Sequence, residues 1–480
     1  MANTQINSFL NQAYAMWSGS SDVGTLTTQG IIDAGGDSLT ASKEQFFGAL
    51  LNVMMKNRFN DSEYNSREND VFFEDAQQYG AIMQLISVDI PAAVSNPAWA
   101  SFVSAYDDYS NATKLHDTPV YLPVVRTKFY EGSVSWAIPL ALTGQQIDTA
   151  VHDAAELEQV AAYCWVAVDN AVKVHLEGLN RTNRNNFIAQ KISAYNGGTA
   201  GIHKINLVEA AYNAGLYPSA NAGDKLTAVD FMNNKNKMLF ATEQIKMYKS
   251  YFGTMSKLFN TAQRDRFTPD DRMVLQVLSA FARKLETVAL SDTYHKDIVE
   301  MPLYREVAAW QGLGTDTSWN NVSAVDVQLS TSPNVTVTQT GVVALLVDRW
   351  AIMHTIKSRR VGVDRDDIKD LTAYSTQFRD SYFNDLTMNG LVFTVEDYEI
   401  PEITLSKSTT TIATGATESI VISSQVPSGA TVTYTSSNTA KATVSDAGVI
   451  TGVAAGSAII TATVKSGGNS ASASITVTVT

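Results

Sequence analysis

The sequence predicts an α+β protein that is followed by a small all-β domain. Near Pro401 the composition changes abruptly, because residues 401–480 contain 17 Thr and 14 Ser but only one aromatic residue, Tyr434. Short segments of this tail alternate apolar and polar residues, as half-buried strands do. Upstream, an apolar helical face runs over residues 147–176, between two strand-like regions. These three features favour a mixed main domain and a separate β-sandwich.

The composition indicates a folded, acidic protein of two or three domains. The chain has 480 residues, of which 45% are hydrophobic and 17% charged, and this excludes disorder over most of its length. The net charge of −13 lies entirely before the tail, whose three Lys balance three acidic residues. Such a charge argues against a broad phosphate-binding surface. No apolar run approaches the roughly 18 residues of a membrane span, and the first residues do not have the pattern of a secretory signal. We therefore expect neither a membrane segment nor export.

The N-terminal part predicts a long loop and two strands after a polar segment. Residues 1–65 are mixed and mostly polar, with one amphipathic piece at residues 46–54. Residues 66–117 are acidic and aromatic and show no sustained helical period after Ser87, so we expect a loop that projects toward another molecule. A pair of strands is expected at 118–129 and 134–142, and two prolines mark the first as an edge strand.

A long helix is the clearest single element. Thr143 and Gln146 form a capping-box pattern, with Thr143 as the N-cap. Apolar or small residues then recur in steps of three or four: Ile147, Val151, Ala154, Leu157, Ala161, Cys164, Val168, Val172 and Leu176. The pattern weakens at Gly178 and ends at Gly197-Gly198. We expect a spine of roughly 45 Å.

Downstream of the helix the pattern is mixed. Helices are expected at residues 224–250 and 297–310. Thr268-Pro269 is typical of a helix start, yet residues 273–278 could form a buried strand, and so short a run leaves both readings open. Strands are then expected at residues 342–347, resumed at 350–353, and at 391–395.

The tail predicts at least six strands at intervals of about 8–12 residues, which is typical of a β-sandwich. They are expected at residues 419–423, 431–435, 442–444, 449–451, 458–463 and 475–479. Alternation assigns the core to Ile420, Val432, Tyr434, Val444, Ile450, Ile460 and Val477. The runs Tyr434-Thr-Ser-Ser-Asn438, Gly448-Val-Ile-Thr-Gly-Val453 and Gly456-Ser-Ala-Ile-Ile-Thr461 resemble the bacterial immunoglobulin-like group 2 domain in order and spacing.

The main domain resembles the major capsid proteins of tailed phages, and more narrowly those of small short-tailed phages of the phi-29 type. The local likeness lies in Val342-Val-Ala-Leu-Leu-Val-Asp-Arg-Trp350, Thr372-Ala-Tyr374, Phe378-Arg-Asp-Ser-Tyr-Phe383 and Gly390-Leu-Val-Phe393. Capsid proteins of that group also append an immunoglobulin-like group 2 domain at this same place.

The resemblance implies the Hong Kong 97-type capsid fold, with the chain divided into five parts. These are an N-terminal arm (1–65), an extended loop (66–117), a peripheral domain with the spine helix (118–200 and 341–400), an axial domain (201–340) and the immunoglobulin-like domain (402–480). The last domain is expected on the outer capsid surface, joined by a short linker at 397–402.

No catalytic, cofactor-binding or metal-binding residue is predicted. The histidines match no zinc motif and are interpreted as satisfied structural side chains: His116, His152, His175, His203, His295 and His354. An acidic cluster lacks the Gly and Glu of a calcium loop and is interpreted as a solvated turn and helix start: Asp364, Asp366, Asp367 and Asp370.

Three further features also favour structural roles. Gly312-Leu-Gly314 lacks the third glycine of a dinucleotide-binding motif. Cys164 lies on the apolar helix face and is interpreted as a buried small side chain, not as a nucleophile. One basic run favours ion pairs between subunits over nucleic-acid binding, because the overall charge opposes the latter: Lys357, Arg359, Arg360 and Arg365.

Three functions are compared on these features. The first is a non-enzymatic major capsid protein, whose copies form pentamers and hexamers of an icosahedral shell around double-stranded DNA without sequence-specific contacts. It implies a scaffolding protein and a portal protein as partners, no cofactor, assembly in the host bacterial cytoplasm and residence in the virion. The immunoglobulin-like domain would then serve weak adhesion to cell surfaces or glycans. The second is a bacterial surface adhesin, which needs export. The third is a polysaccharide-active enzyme, although the seven Trp are scattered along the chain.

Overall fold

The computed structural model describes residues 72–73, 83–89, 124–130, 132–143, 154–289, 304–311, 318–331, 333–366, 371–427 and 429–480. The chain divides into two compact units. The first unit comprises Met1–Gln190, Met255–Val274 and Val347–Asn389, and the second comprises Lys191–Thr254, Leu275–Leu346 and Gly390–Thr480. The domain boundaries given above stay predictions.

In the described part of the first 400 residues, strands outnumber helices. In chain order the elements are β1 (Met83–Val88), β2 (Val125–Tyr130), β3 (Val134–Thr143), α1 (Ala154–Asn196), β4 (Lys204–Asn206), α2 (Leu207–Asn213), β5 (Lys225–Leu226), α3 (Ala228–Asn233), α4 (Lys235–Phe252), β6 (Met273–Leu278), α5 (Ser279–Ala289), β7 (Arg305–Val307), α6 (Trp319–Val322), β8 (Val325–Thr331), β9 (Asn334–Gln339), β10 (Val342–Asp348), β11 (Ile352–Asp366), β12 (Leu371–Asn384), β13 (Gly390–Thr394) and β14 (Tyr398–Glu399). Short 3-10 helices at Asp270–Arg272 and Arg349–Ala351 precede β6 and β11.

The first unit packs helix α1 against a three-stranded antiparallel sheet in the order β11-β12-β3. Val168 and Val172 of α1 are buried against Phe378 of β12. The indole of Trp136 stacks on the ring of Phe378 at a centroid distance of 3.9 Å. Leu176 packs on the same cluster, so the predicted apolar face is confirmed wherever its side chains are described.

Helix α1 runs for 43 residues, about 65 Å at 1.5 Å per residue. The helix continues through Gly178. Its buried face continues as well, because Phe187 and Ile188 beyond this glycine are completely buried. It ends where predicted. Gly198 has a φ of +67°, and the amide of Thr199 donates to the carbonyl of Ala194 at 2.9 Å, as in a Schellman cap.

The second unit contains a five-stranded sheet in the order β4-β13-β10-β6-β7. Strand β10 is central, and all seven of its residues are buried, as its continuous apolar run predicts for a strand covered on both faces. Residues 273–278 form a strand, which settles the question left open above. The segment before it is a single 3-10 turn, and Thr268 is not its N-cap.

Four other sequence expectations are wrong. Strands β2 and β3 exist, but they do not pair with each other, since β2 pairs with β1 and β3 with β12. The helix expected over 297–310 is contradicted in its described part, 304–310, where β7 pairs in parallel with β6. The helix over 224–250 is divided into β5, α3 and α4, because the side chain of Asn234 caps α4. The described members of the acidic cluster, Asp364 and Asp366, lie in strand β11 and not at a helix start.

The start of the spine helix stays a prediction. Thr143, its predicted N-cap, is the last residue of β3. Gln146 lies outside the described residues.

The tail is a two-sheet sandwich. Its strands are β15 (Thr409–Ile412), β16 (Thr417–Ser419), β17 (Thr431–Ser436), β18 (Ala442–Val444), β19 (Val449–Gly452), β20 (Gly456–Ser466) and β21 (Asn469–Val479). They form sheets in the orders β15-β21-β20-β17 and β16-β19-β18. All seven predicted core residues belong to its apolar clusters. The strand expected at 419–423 is wrong beyond Ser419, and β15 is an additional strand.

Candidate functional site

The first unit exposes an apolar face on the β1–β2 pair. In the antiparallel register Gln84 lies opposite Phe129, Ile86 opposite Thr127 and Val88 opposite Val125. Side chains of directly opposed residues lie on the same side of a sheet. The exposed fractions are 63% for Phe129 and 59% for Ile86, and Val88 and Val125 are also exposed. We call these four apolar residues, Ile86, Val88, Val125 and Phe129, the hairpin face.

The opposite side of the same strand pair packs on its own unit. Met83, Leu85 and Tyr130 lie against Met353 and Phe383. The Tyr130 and Phe383 rings are 5.1 Å apart. One side of the pair is therefore anchored, and the other has no contact of this kind among the described residues.

Asp385 fixes the anchored side. Its buried carboxylate accepts a hydrogen bond from Tyr130 Oη at 2.6 Å and lies 3.0 Å from Lys128 Nζ. It also accepts the amide of Thr387 at 2.9 Å. Burial alone would raise the pKa of this carboxyl, but the hydrogen bonds from Tyr130, Thr387 and Lys128 lower the pKa below its ordinary value. Asp385 is thus a charged anchor for β2.

Two further buried carboxylates have separate partners in this unit. Asp348 accepts from Thr268 Oγ1 at 3.1 Å and from Arg272 Nη2 at 3.2 Å. Asp380 accepts from Trp136 Nε1 at 3.0 Å. Burial raises the pKa of both, and nearby arginines oppose the rise. Since each acid is held by structural donors, we interpret them as fold anchors.

The described histidines are not gathered at one site. His203 is fully buried, and one ring nitrogen lies 3.1 Å from the carbonyl of Ala200. His354 stacks on Tyr382 at 4.5 Å, and burial lowers its pKa to about 3. Neither ring nitrogen of His354 bonds to a described residue, so the expectation of a satisfied side chain is wrong there. His175 is exposed beside Trp136, and His116, His152 and His295 lie outside the described residues.

The remaining sequence candidates are distributed along β11. Arg359 lies over the ring of Phe378 at 5.0 Å, and Arg360 Nε donates to Gln377 Oε1 at 2.6 Å. Asp364 is exposed near the end of the strand. Residues 312–314 lie outside the described residues, and the side chain of Cys164 is not described.

Within the described ranges no three His, Cys, Asp or Glu side chains come together as a possible metal ligand set. Over the same residues, no helix is both long and apolar enough to cross a membrane.

Sequence reasoning missed the hairpin face, because it treated residues 83–88 as part of an irregular loop. The signal was available in the alternation of Met83-Gln-Leu-Ile-Ser-Val88, whose burial also alternates.

Comparison with known proteins identifies both parts of the chain. The profile of the Phi29-like phage major capsid protein family matches residues 6–394. The profile of the bacterial Ig-like domain (group 2) matches residues 399–475. No curated protein matches the sequence.

Solved capsids share a more distant likeness. The chain is similar to the capsid structure of Staphylococcus phage Andhra, with 9% identity, a TM-score of 0.42, and coverage of 70% of this chain and 85% of that chain. The capsid of cyanophage P-SCSP1u has 12% identity and a TM-score of 0.36, with coverage of 68% of this chain and 86% of that chain. The mature capsid of bacteriophage PhiM1 has 8% identity and a TM-score of 0.34, with coverage of 70% of this chain and 88% of that chain.

Because the family profile covers most of the sequence, the chain belongs to the Phi29-like phage major capsid protein family and is a phage major capsid protein with a bacterial Ig-like domain after the capsid part.

Proposed function

We propose that copies of this chain build an icosahedral phage head of the Hong Kong 97-type, and that the hairpin face of one copy packs on a neighbouring copy. The observation that carries this proposal is the two-sided character of the β1–β2 pair. One side is anchored on its own unit through Asp385, and the other exposes Phe129 and Ile86. Contiguous exposed apolar surface of this kind is typical of a protein interface.

The pairing also refines the extended loop. Strands β1 and β2 are antiparallel neighbours, so they bring the two ends of the segment between them together. Residues 83–88 and 125–130 are then its base. This differs from the 66–117 expected from sequence, and it supports a hairpin that reaches toward another subunit.

The remaining partners follow from the capsid role. Pentamers and hexamers of this chain would form the lattice. A scaffolding protein would guide their assembly, and a portal protein would be a further partner of the shell. The net charge of −13 supports a shell that encloses double-stranded DNA without binding it tightly or by sequence. We further propose that the protein is not an enzyme and assembles in the host cytoplasm.

The immunoglobulin-like domain is proposed to lie on the outer surface. A role in weak adhesion to cell surfaces or glycans rests on analogy. Tyr434, the only aromatic residue of residues 401–480, packs in the sandwich core. Adhesion would therefore depend on hydroxyl and backbone groups and not on an aromatic platform.

A matched pair of substitutions tests the assembly role. Ile86→Lys places a charge on the hairpin face, whereas Ile459→Lys places one on the exposed surface of the tail, where Ile459 is 47% exposed. Both variants should fold like the wild type in thermal unfolding. We expect the first to lose shells in electron microscopy and the second to keep them. Normal shells from Ile86→Lys would contradict the proposal.

A further inference from the structure

The turn between β20 and β21 contacts helix α2 through one carboxylate. Glu209 accepts a hydrogen bond from the backbone amide of Gly468 at 2.5 Å and lies 3.4 Å from the side-chain nitrogen of Asn469. The two partners are more than 250 residues apart in sequence. An element of the immunoglobulin-like domain is therefore bonded to an element of the capsid part.

The turn is shaped for this contact. Gly467 has a φ of +59°, and a Cβ atom there would lie 2.4 Å from the carboxylate oxygens of Glu209. Only glycine combines this backbone conformation with so close an approach. The residue type at position 467 thus serves the contact as well as the turn.

A second attachment lies beside the first. Asn469 donates to Tyr398 Oη at 2.9 Å, and Tyr398 pairs with Leu226 in the two-stranded β14–β5 sheet. The amide of Ile400 donates to the carbonyl of Asp224 at 3.0 Å, and its carbonyl accepts from Gly223 at 3.1 Å. The connection to the tail is therefore a bonded strand and not a free tether.

The electrostatic setting of Glu209 agrees with an enclosed contact. Burial raises the pKa of its carboxyl, and the Gly468 amide and Lys204 oppose the rise while Glu396 adds to it. Either protonation state keeps an oxygen acceptor for the Gly468 amide, so the contact does not depend on ionisation.

We propose that Glu209 and the β20–β21 turn form a latch that holds the immunoglobulin-like domain in one fixed orientation on the capsid part of its own chain. If the proposed shell role also holds, every copy would present its domain in the same orientation and at a spacing set by the lattice. A surface that binds weakly gains most from such regular display when its targets can be reached simultaneously.

Hydrogen exchange of the full chain tests the latch. Glu209→Ala removes the acceptor, and we expect the Gly468 amide to exchange about tenfold faster, as the loss of one hydrogen bond implies. Gly467→Ala should have the same effect through the clash with Glu209. Gly415→Ala is the matched control, because its φ is +80° but nothing lies within 4 Å of an added Cβ. It should leave exchange at Gly468 unchanged.

Exchange within β20 and β21 separates latch opening from unfolding. Protection of Ile460 and Val477 should persist in Glu209→Ala, since this substitution lies outside the sandwich. Glu209→Gln keeps an acceptor oxygen and should retain most of the protection. Unchanged exchange at Gly468 in both Glu209→Ala and Gly467→Ala would overturn the latch. The measurement needs no shells, so its outcome is independent of the proposed assembly role.

Discussion

Tyr130 donates a 2.6 Å hydrogen bond to the buried carboxylate of Asp385, and this bond ties strand β2 to the turn after β12. The two residues are 255 positions apart. The carboxylate is also 3.0 Å from Nζ of Lys128 on the same strand. Asp385 therefore binds two residues of β2, Lys128 and Tyr130. The position of the hairpin face therefore depends on Asp385.

Replacing Asp385 should destabilise the first unit. Asp385→Asn removes the charge and leaves fewer acceptor sites for Tyr130 and Lys128, which we expect to cost roughly 2–3 kcal/mol in the free energy of unfolding. Tyr130→Phe removes one bond and should cost about 1 kcal/mol. Denaturant unfolding of unassembled protein measures both. Equal stability of Asp385→Asn and wild type would show that the carboxylate is not an anchor.

The same residue predicts a pH dependence. The pKa of Asp385 is lowered in the folded state, so its contribution is present above the unfolded value of about 3.9 and is lost as the pH falls through the folded value. In Asp385→Asn the acid part of the stability curve should be flatter than in wild type. Identical curves below about pH 4 would contradict this.

His354 should make the first unit sensitive to milder acid. Burial lowers its pKa to about 3, whereas an unfolded histidine titrates near 6.5. The unfolded state therefore gains protons first, and stability should fall between about pH 6.5 and 3. The positive charge of nearby Arg359 also lowers the pKa of His354. His354→Phe should remove most of the slope, while Tyr382→Phe keeps the ring stack and the slope. A steep slope that persists in His354→Phe would assign it to other groups.

Substitutions of two glycines, one inside helix α1 and one just after its end, should change the stability in opposite directions. Gly178 lies in the helix interior with open space around it, so Gly178→Ala should stabilise by about 0.5–1 kcal/mol. Gly198 also has open space but a φ of +67°, so Gly198→Ala should destabilise by about 1 kcal/mol. Thermal unfolding of the two variants provides the comparison. A gain at both positions would contradict the assigned helix end.

The site of truncation should matter in the segment before the tail. A chain that ends after Pro401 keeps both bonds of Ile400, and it should assemble like the full chain. A chain that ends after Asp397 loses strand β14 as well, which we expect to cost roughly 2 kcal/mol or more. Shell yield and denaturant unfolding distinguish the two. Loss of shells in the chain that ends after Pro401 would show that the immunoglobulin-like domain is part of the lattice.

Local patterns predicted the elements whose burial depends on their own sequence. The alternation in the tail placed Ile450, Ile460 and Val477 in the core, where they are buried. The unbroken apolar run at 342–347 predicted a strand, and all seven residues of β10 are buried. In each case the residue spacing itself carries the information, because it sets which side of the element is apolar.

Pairing between distant segments could not be read in the same way. Strand β2 pairs with β1 across the loop and not with β3, its neighbour in sequence. Strand β7 forms in parallel beside β6, although its own residues favoured a helix. The acceptor of Tyr130 lies at position 385, and nothing near either residue in sequence indicates the partner. Such choices are decided by tertiary packing, which overrides short local preferences.

Cryo-electron microscopy of shells assembled from this chain, with its scaffolding protein if one is required, tests the central claim most directly. The proposal predicts closed shells in which Phe129 and Ile86 are buried against a neighbouring copy. Closed shells in which both side chains face solvent would contradict the assignment of the hairpin face. A chain that stays monomeric under all assembly conditions would contradict the proposed head assembly.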